Sequence, residues 1–357
     1  MRSVKVAIIA THPIQYQIPW FQKLAEQVEL KVYYALLPDS AQQGVGFGVA
    51  FNWDIPMLEG YDWQVIPNKR KSPRLRGFFA SSTPAIHSLL AKSKPDVAII
   101  TGWQSLPLLQ ALWACIRLRI PRIARGESNC LRKRPFRTRL LHRLLLAQFD
   151  AFLAIGQANR DFYLQYRISP KRIFLSNYFV DNGRFQEQFR RTSSDRSAVR
   201  TSWGIPEGCV CFLYVGKLEP KKRIIDLLRA FDRGRQINSG MHLLVVGTGE
   251  LMAEARQMVK DLSLPVSFAG FLNQTEITRA YAAADCLVLP SDFGETWGLV
   301  VNEAMACGLP ALVSDRVGCW PDLVQAGVTG MIFPCGDIDA LASKLLELSS
   351  DPARLAR

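Results

Sequence analysis

The sequence predicts an α/β protein of two doubly wound, Rossmann-like domains facing each other across a cleft. Three observations carry this. Short apolar runs alternate with amphipathic helical stretches through residues 4–166, and again through 209–348. The alternation loosens once, across 176–194, where "SNYFVDNGRFQEQFRRTSS" holds no sustained period. Charge changes at the same place: residues 1–185 hold 26 Lys and Arg against 11 Asp and Glu (+15), and residues 186–357 hold 18 against 20 (−2). The domains are therefore set at 1–180 and 201–357, with a linker over 181–200.

In the first half, buried strands are expected at 4–10, 30–34, 63–66, 96–101, 120–125 and 151–155. Helices fit between them at 19–27, 84–92, 106–118, 137–148 and 158–166. In the second half, strands are expected at 209–215, 242–246, 266–268, 286–289, 311–313 and 330–333, and helices at 224–236, 252–262, 274–283, 298–307 and 338–348. Strands spaced by helices pair in parallel, because parallel neighbours need crossover connections. Open sheets of this kind bind ligands at the carboxyl ends of their strands.

Composition narrows the function. Apolar runs are short, such as 111–116, against the ~20 residues of a bilayer crossing, so no membrane-spanning helix is expected. Residues 4–10 read as a first strand rather than a leader, since no small-residue cleavage site follows. None of the eight cysteines forms a CxxC pair, and Cys209 and Cys211 alternate within a strand. Reduced thiols, packing roles and a cytoplasmic setting follow. The basic first half asks for an anionic partner: membrane phosphates, nucleic acid or an anionic acceptor. No nucleic-acid motif accompanies the charge, so nucleic acid is set aside.

The chemistry concentrates in "SDFGETWGLVVNEAMACGLP", residues 291–310. Glu295 lies on a loop at a strand's carboxyl end, and a helix starts near Gly298. Its first amides lack intrahelical partners and its dipole is positive there, which suits a phosphate. Glu303 lies more than a turn inside. The spacing serves one extended ligand with hydroxyls at both ends and phosphates between, as in a nucleotide sugar. Helix-dipole stabilisation of Glu295 and simple solvation of Glu303 would explain the pair equally. In "FLYVGKLEPKKR", residues 212–223, a strand leads through Gly216 and Lys217 to Lys222 at a helix start. Two lysines on that edge could neutralise a departing diphosphate, or be solvated surface charge. "VVGTGE", with Gly249, is a second glycine turn between strand and helix, and "FAGF", ending at Phe271, offers a backbone edge and an apolar wall to a base.

With these segments in order, residues 205–350 resemble the donor domain of the family-4 retaining glycosyltransferases, the group 1 glycosyl transferases of GT-B fold. "VGKLEPKKR", "VVGTGE", "VSFAGFLNQTEITRAYAAADCLVLPS" and "ETWGLVVNEAMACGLPALVSD" carry the likeness. The resemblance implies that Glu295 contacts the transferred sugar and that the backbone amides of Thr296, Trp297, Gly298, Leu299 and Val300 meet the diphosphate. It further implies that Glu303 holds the ribose and Lys222 a phosphate. Lys217 stands where the family more often has Arg, and Arg223 where it often has Gly. Family members generally need no metal. "GDID", residues 336–339, is accordingly read as a helix N-cap at Asp337 rather than a metal motif.

The first half is less specific. "ATHPIQYQIPWFQKL", residues 10–24, replaces the glycine-rich loop of many relatives, and places His12 and Gln15 at a strand's carboxyl end. His12 either touches acceptor or sugar, or is held within the loop. "IARGESN", residues 123–129, brings Arg125 and Glu127 to the same edge, where relatives often have a histidine. Glu127 either orients a substrate or pairs with Arg125. Basic residues cluster at 68–79 and 130–149. In the latter, Leu140, Leu141, Leu144 and Leu145 oppose Arg137, Arg139 and Arg143, which fits either docking on anionic lipid or a core helix with a solvated face. The chain ends at "SSDPARLAR", where relatives usually continue with helices returning to the first domain, so either truncation or a shortened tail is expected.

The resulting expectation is a metal-independent, cofactor-free retaining glycosyltransferase of polysaccharide, glycan or glycolipid synthesis. It would move a sugar from a nucleoside diphosphate donor to a glycan or lipid-linked acceptor hydroxyl, in the cytoplasm or peripherally at the inner membrane face. The alternative is a non-catalytic nucleotide-sugar-binding protein or partner subunit.

Overall fold

The computed structural model of the protein describes residues 3–351. Its contacts group into two units. One runs to Gln43 and resumes over Phe51–Tyr178, and the other joins Gly44–Ala50 to the residues from Phe179 onward.

In the first unit, β1 (Lys5–Ala10), β2 (Glu29–Tyr34), β3 (Asp62–Val65), β4 (Val97–Ile100), β5 (Arg122–Ala124), β6 (Ala151–Ala154) and β7 (Ile173–Leu175) form a parallel sheet in the order β3-β2-β1-β4-β5-β6-β7. The helices of this stretch are α1 (Ile18–Ala25), α2 (Ser40–Gly44), α3 (Ile86–Ser93), α4 (Leu106–Leu118), α5 (Phe136–Leu146) and α6 (Gln157–Gln165). Strand β1 shows why its sequence is apolar almost throughout. Ala7 and Ile9 join a core cluster with Leu108 and Ala111, while Val6, Ile8 and Ala10 join one with Phe21 and Val32. A central parallel strand is covered on both faces.

The second unit opens with α7 (Asn182–Ser193) and α8 (Arg196–Ser202). It continues as β8 (Val210–Val215), α9 (Ile224–Arg235), β9 (Met241–Val246), α10 (Met252–Asp261), β10 (Val266–Gly270), α11 (Ile277–Ala283) and β11 (Cys286–Leu289). It closes with α12 (Leu299–Ala306), β12 (Ala311–Ser314), α13 (Trp320–Leu323), β13 (Gly330–Phe333) and α14 (Ile338–Ser350). Its parallel sheet has the order β10-β9-β8-β11-β12-β13. Chain direction across the sheet reverses between β1 and β4 in the first unit and between β8 and β11 in the second. Such reversals open a crevice at the carboxyl ends of the strands.

Every strand and helix expected from the sequence is present, with ends shifted by a few residues. The stretch 181–200, read as an irregular linker, instead holds α7 and most of α8. Asp181 caps α7 by accepting from the Arg184 amide at 3.0 Å. The helix is so polar that Phe185 is its one buried residue, which left no visible period. Strand β7 escaped because three residues at a sheet edge carry no readable pattern. Helix α5, whose sequence fits either a core helix or a lipid-docking one, divides its leucines: Leu145 and Leu146 pack on the core. Leu146 is buried, but Leu140, Leu141 and Leu144 are exposed, as is Phe136. Asp337 caps α14 by accepting from the Ala340 amide at 2.9 Å. All eight cysteines are free thiols. Cys211 is fully buried within β8, whereas Cys209 precedes the strand and is only partly buried. Among the described residues no helix is long and apolar enough to cross a membrane. The end of the chain, on which truncation or a shortened tail was read, lies outside the described residues from 352 on.

Because Phe185 is 0 % exposed, Phe185→Ala should destabilise the second unit by about 3–5 kcal/mol, read by urea unfolding. A side chain on a loose linker would lose well under ~1 kcal/mol.

Candidate functional site

The second unit gathers most of the expected site residues on one edge of its sheet. Gly216, Lys217 and Lys222 follow β8, Gly249 follows β9, Phe271 follows β10, and Glu295 to Glu303 follow β11. The loops are laced by their backbones. The Gly216 amide donates to the Val246 carbonyl at 3.0 Å, Leu218 donates to Thr248 at 2.9 Å, and Gly247 donates to Gly270 at 2.7 Å. A Cβ on Gly249 would sit 2.5 Å from the Leu218 carbonyl oxygen, so only glycine lets these turns close.

Lys222 and Glu295 meet as an ion pair between the loops after β8 and β11, both side chains about 15 % exposed. Ser291, fully buried, adds its hydroxyl to the same carboxylate oxygen at 3.4 Å. The two loops are also tied through backbone, the Asp292 amide donating to the Lys221 carbonyl at 2.9 Å. Tyr214 lies below: burial first, and then the Glu295 and Glu219 carboxylates, hold its hydroxyl far above the usual phenol range. Arg223, standing where relatives often have Gly, adopts a left-handed conformation (φ 54°) and pairs with Asp226. That conformation is the physical reason a glycine suits the position.

Helix α12 begins immediately after Gly298, whose φ of 103° belongs to the left-handed region. No side chain caps this end, and its first turn holds no acidic residue. Thr296 and Trp297 lead into it. Trp297 is 3 % exposed, and its indole N–H donates to Asn302 at 2.8 Å. Behind, Gly318 after β12 packs so closely that a Cβ would lie 1.8 Å from the Thr296 carbonyl oxygen. Its amide donates to the Glu295 carbonyl at 3.1 Å. The positive end of α12, with Leu299 and Val300 in its first turn, thus opens beside the Lys222–Glu295 pair.

The two expected lysines take different partners. Lys217 does not join Lys222 at Glu295. Its ammonium donates to the Val45 carbonyl at 3.3 Å and lies 4.1 Å from the centre of the Phe47 ring. Phe47 in turn meets Phe271 edge-on, ring centres 5.2 Å apart. The segment Gly44–Ala50 therefore belongs to this unit's surface, a placement no local pattern announced.

Glu303 is buried, 7 % exposed, and accepts from the Tyr281 hydroxyl at 2.6 Å and from the Gln274 side chain. Burial raises its pKa above the usual carboxylate range; Tyr281, the positive charge of Arg184 and Gln274 act the other way. Arg184 donates to Gln274 twice, to its carbonyl at 2.9 Å and its side-chain oxygen at 2.7 Å. Sequence reasoning missed Ser291, Gln274, Tyr281 and Arg184. Gln274, Tyr281 and Arg184 become site residues only through the packing of α7 and α11 against α12, whereas Ser291 meets Glu295 within their own loop.

In the first unit, His12 and Gln15 follow β1, and Arg125 and Glu127 follow β5. His12 shares a 2.9 Å hydrogen bond with the Thr11 hydroxyl. Burial lowers its pKa to about 4, so the imidazole is neutral at physiological pH. Gln15 lies half-buried in the turn before α1. Glu127 accepts from two tyrosine hydroxyls, Tyr16 at 3.1 Å and Tyr178 at 2.5 Å. The Arg125 guanidinium, 3 % exposed, stacks between Trp20 (4.2 Å) and Tyr178 (4.7 Å). Two buried polar atoms on this stretch have no hydrogen-bond partner, Arg125 Nε and Gln17 Oε1. Such atoms mark a place where a polar ligand can complete the bonding.

Residues 195–357 match the model of the family described as glycosyl transferases group 1. The chain is similar to the sulfoquinovosyl transferase SQD2 of Arabidopsis thaliana, 29% identical over 285 residues, covering 75% of this chain and 52% of the relative. It is also similar to D-inositol 3-phosphate glycosyltransferase 2 of Catenulispora acidiphila, 33% identical over 202 residues, covering 54% and 45%. The chain thus spans about half the length of the curated relatives it matches. Among solved structures, Anabaena Alr3699/HepE in complex with UDP and glucose aligns over 99% of this chain and 92% of its own, with TM-score 0.72 and 17% identity. Residues 195–357 are thus similar to the group 1 glycosyl transferases, and the chain as a whole has the GT-B fold.

Proposed function

We propose that this protein is a retaining glycosyltransferase of family 4, transferring a sugar from a nucleoside diphosphate donor to an acceptor hydroxyl in glycan, polysaccharide or glycolipid synthesis. One observation carries the reading: the Lys222–Glu295 pair stands at the uncapped, positive mouth of α12, at the point where strand order reverses. The diphosphate lies over that mouth. Its charge, growing as the glycosidic bond breaks, is met by the α12 amides and by the ammonium groups of Lys222 and Lys217. Glu295 takes sugar hydroxyls, Glu303 the ribose, and Phe271 the base. These groups answer the diphosphate's charge without a metal, and Asp337 is engaged as a cap, so we propose metal-independent transfer. The names of relatives support the class: among them are enzymes of glycolipid and inositol glycoside synthesis.

The edge of the first unit, with His12, Gln15, Arg125 and Glu127, is proposed as the acceptor side. Its neutral His12 fits hydroxyl recognition rather than charge neutralisation. Helix α5 supports a lipid-linked acceptor. Phe136, Leu141 and Leu144 are 75 %, 63 % and 61 % exposed, and alternate with Arg137, Arg139 and Arg143. An exposed apolar ridge among arginines suits the face of an anionic bilayer. Peripheral attachment on the cytoplasmic side is consistent with the free thiols.

Lys222→Met and Glu295→Gln should each lower kcat by roughly 10²–10³, measured by nucleotide release from labelled donors with acceptor present. The product should keep the donor's anomeric configuration by NMR. Nucleotide-sugar binding without turnover would instead favour a non-catalytic binding protein. Leu141→Glu with Leu144→Glu should abolish co-sedimentation with vesicles of phosphatidylglycerol and phosphatidylcholine, and leave turnover of a soluble acceptor unchanged.

A further inference from the structure

Glu303 carries a negative charge into a buried position, and something must keep it both oriented and ionised. Tyr281 on α11 fixes one oxygen. Gln274, itself 7 % exposed, is the second contact. Its amide has two ends: the oxygen accepts from Arg184 at 2.7 Å, so the NH₂ end is the one that can donate to a carboxylate, which only accepts. Arg184 also donates to the Gln274 carbonyl at 2.9 Å, making a two-point grip. The guanidinium is steadied in turn by the Phe185 ring, 4.4 Å away, and Phe185 is fully buried beside Tyr281. The chain Arg184, Gln274, Glu303 therefore runs from α7 to α12 with one orientation available to the amide.

We propose that Arg184 is a positioning residue for Glu303, fixing through Gln274 how strongly the site discriminates the ribose hydroxyls of its nucleotide. The inference rests on the reading of Glu303 as the ribose ligand. An ionised carboxylate in one fixed orientation accepts two neighbouring hydroxyls with charge-assisted strength. A rotated or protonated one does not. The charged and titratable groups facing Glu303 are Arg184 from α7, Tyr281 from α11 and Cys307 at the end of α12. Of these Arg184 supplies the positive charge. Burial already lifts the Glu303 pKa, and Arg184 pulls it back. Removing Arg184 lifts it further, so ribose recognition is lost at a higher pH as the pH falls.

The test is calorimetric binding of UDP and GDP, each against its 2′,3′-dideoxy counterpart, from pH 5.5 to 8. Comparing within a pair cancels titration of the phosphates. The expected wild-type preference for the ribose form is roughly tenfold at pH 7, the size of one charge-assisted hydrogen bond. In Arg184→Met it should fall several-fold, and its midpoint should move to higher pH. Arg184→Lys, which keeps the charge without the two-point grip, should restore the midpoint but not the full preference. Preference and midpoint unchanged in Arg184→Met, with only a lowered melting temperature, would reduce Arg184 to a structural residue and overturn the proposal. So would equal weakening of both members of a pair. A wild-type protein that binds both members of a pair equally would instead remove the ribose assignment itself, a result distinct from the other two.

Discussion

The second unit depends on a close backbone approach at its reversal of strand order. Where β8 and β11 lie side by side, their outgoing loops diverge, and the space between them has to be held open yet tightly framed. Glycines do the framing. A side chain at Gly249 or Gly318 would strike the neighbouring loop's backbone at 2.5 Å or less. With those turns closed, the loop after β11 is pinned from behind by Gly318 and from the front by the Asp292–Lys221 hydrogen bond. Only then do Lys222 and Glu295 meet, and only then does the start of α12 stand uncapped beside them.

Three electrostatic environments result from one sheet edge. The Lys222–Glu295 pair is partly solvated, so each charge is balanced locally and both remain available to a polar ligand. Glu303 is deeply buried, and its ionisation is a matter of the groups that α7 and α11 bring to it. Lys217 is held by a carbonyl and an aromatic face of the Gly44–Ala50 segment, which fix its direction without removing its charge. The first unit offers a fourth case, a neutral His12 after one strand and, after another, a carboxylate held by two tyrosines.

Much of this was written locally. Parallel strands buried on both faces must be apolar throughout, so β1, β8, β9 and β11 stood out from the chain. Gly298 before a helix, Lys222 at a helix start and Asp337 as a cap were legible because each acts within a few residues of its own backbone. What stayed hidden had weak or misleading local signals. Helix α7 is too polar to show a period. The leucines of α5 have the pattern of a core helix, yet three of them face outward, since periodicity says which residues share a face but not what covers it.

The sequence by itself determined the two doubly wound sheets and the identity of the loop and helix that carry Glu295 and Glu303; strand order and its reversal points came from the structure. Hydrophobic period and backbone geometry are short-range properties, and a single chain displays them. Tertiary structure alone decided the partners: that Glu295 pairs with Lys222 from 73 positions away, that Lys217 turns to Phe47, and that Arg184 reaches Glu303 through Gln274. Those contacts join elements remote in sequence, and which charges become neighbours is fixed only when the sheets and helices pack.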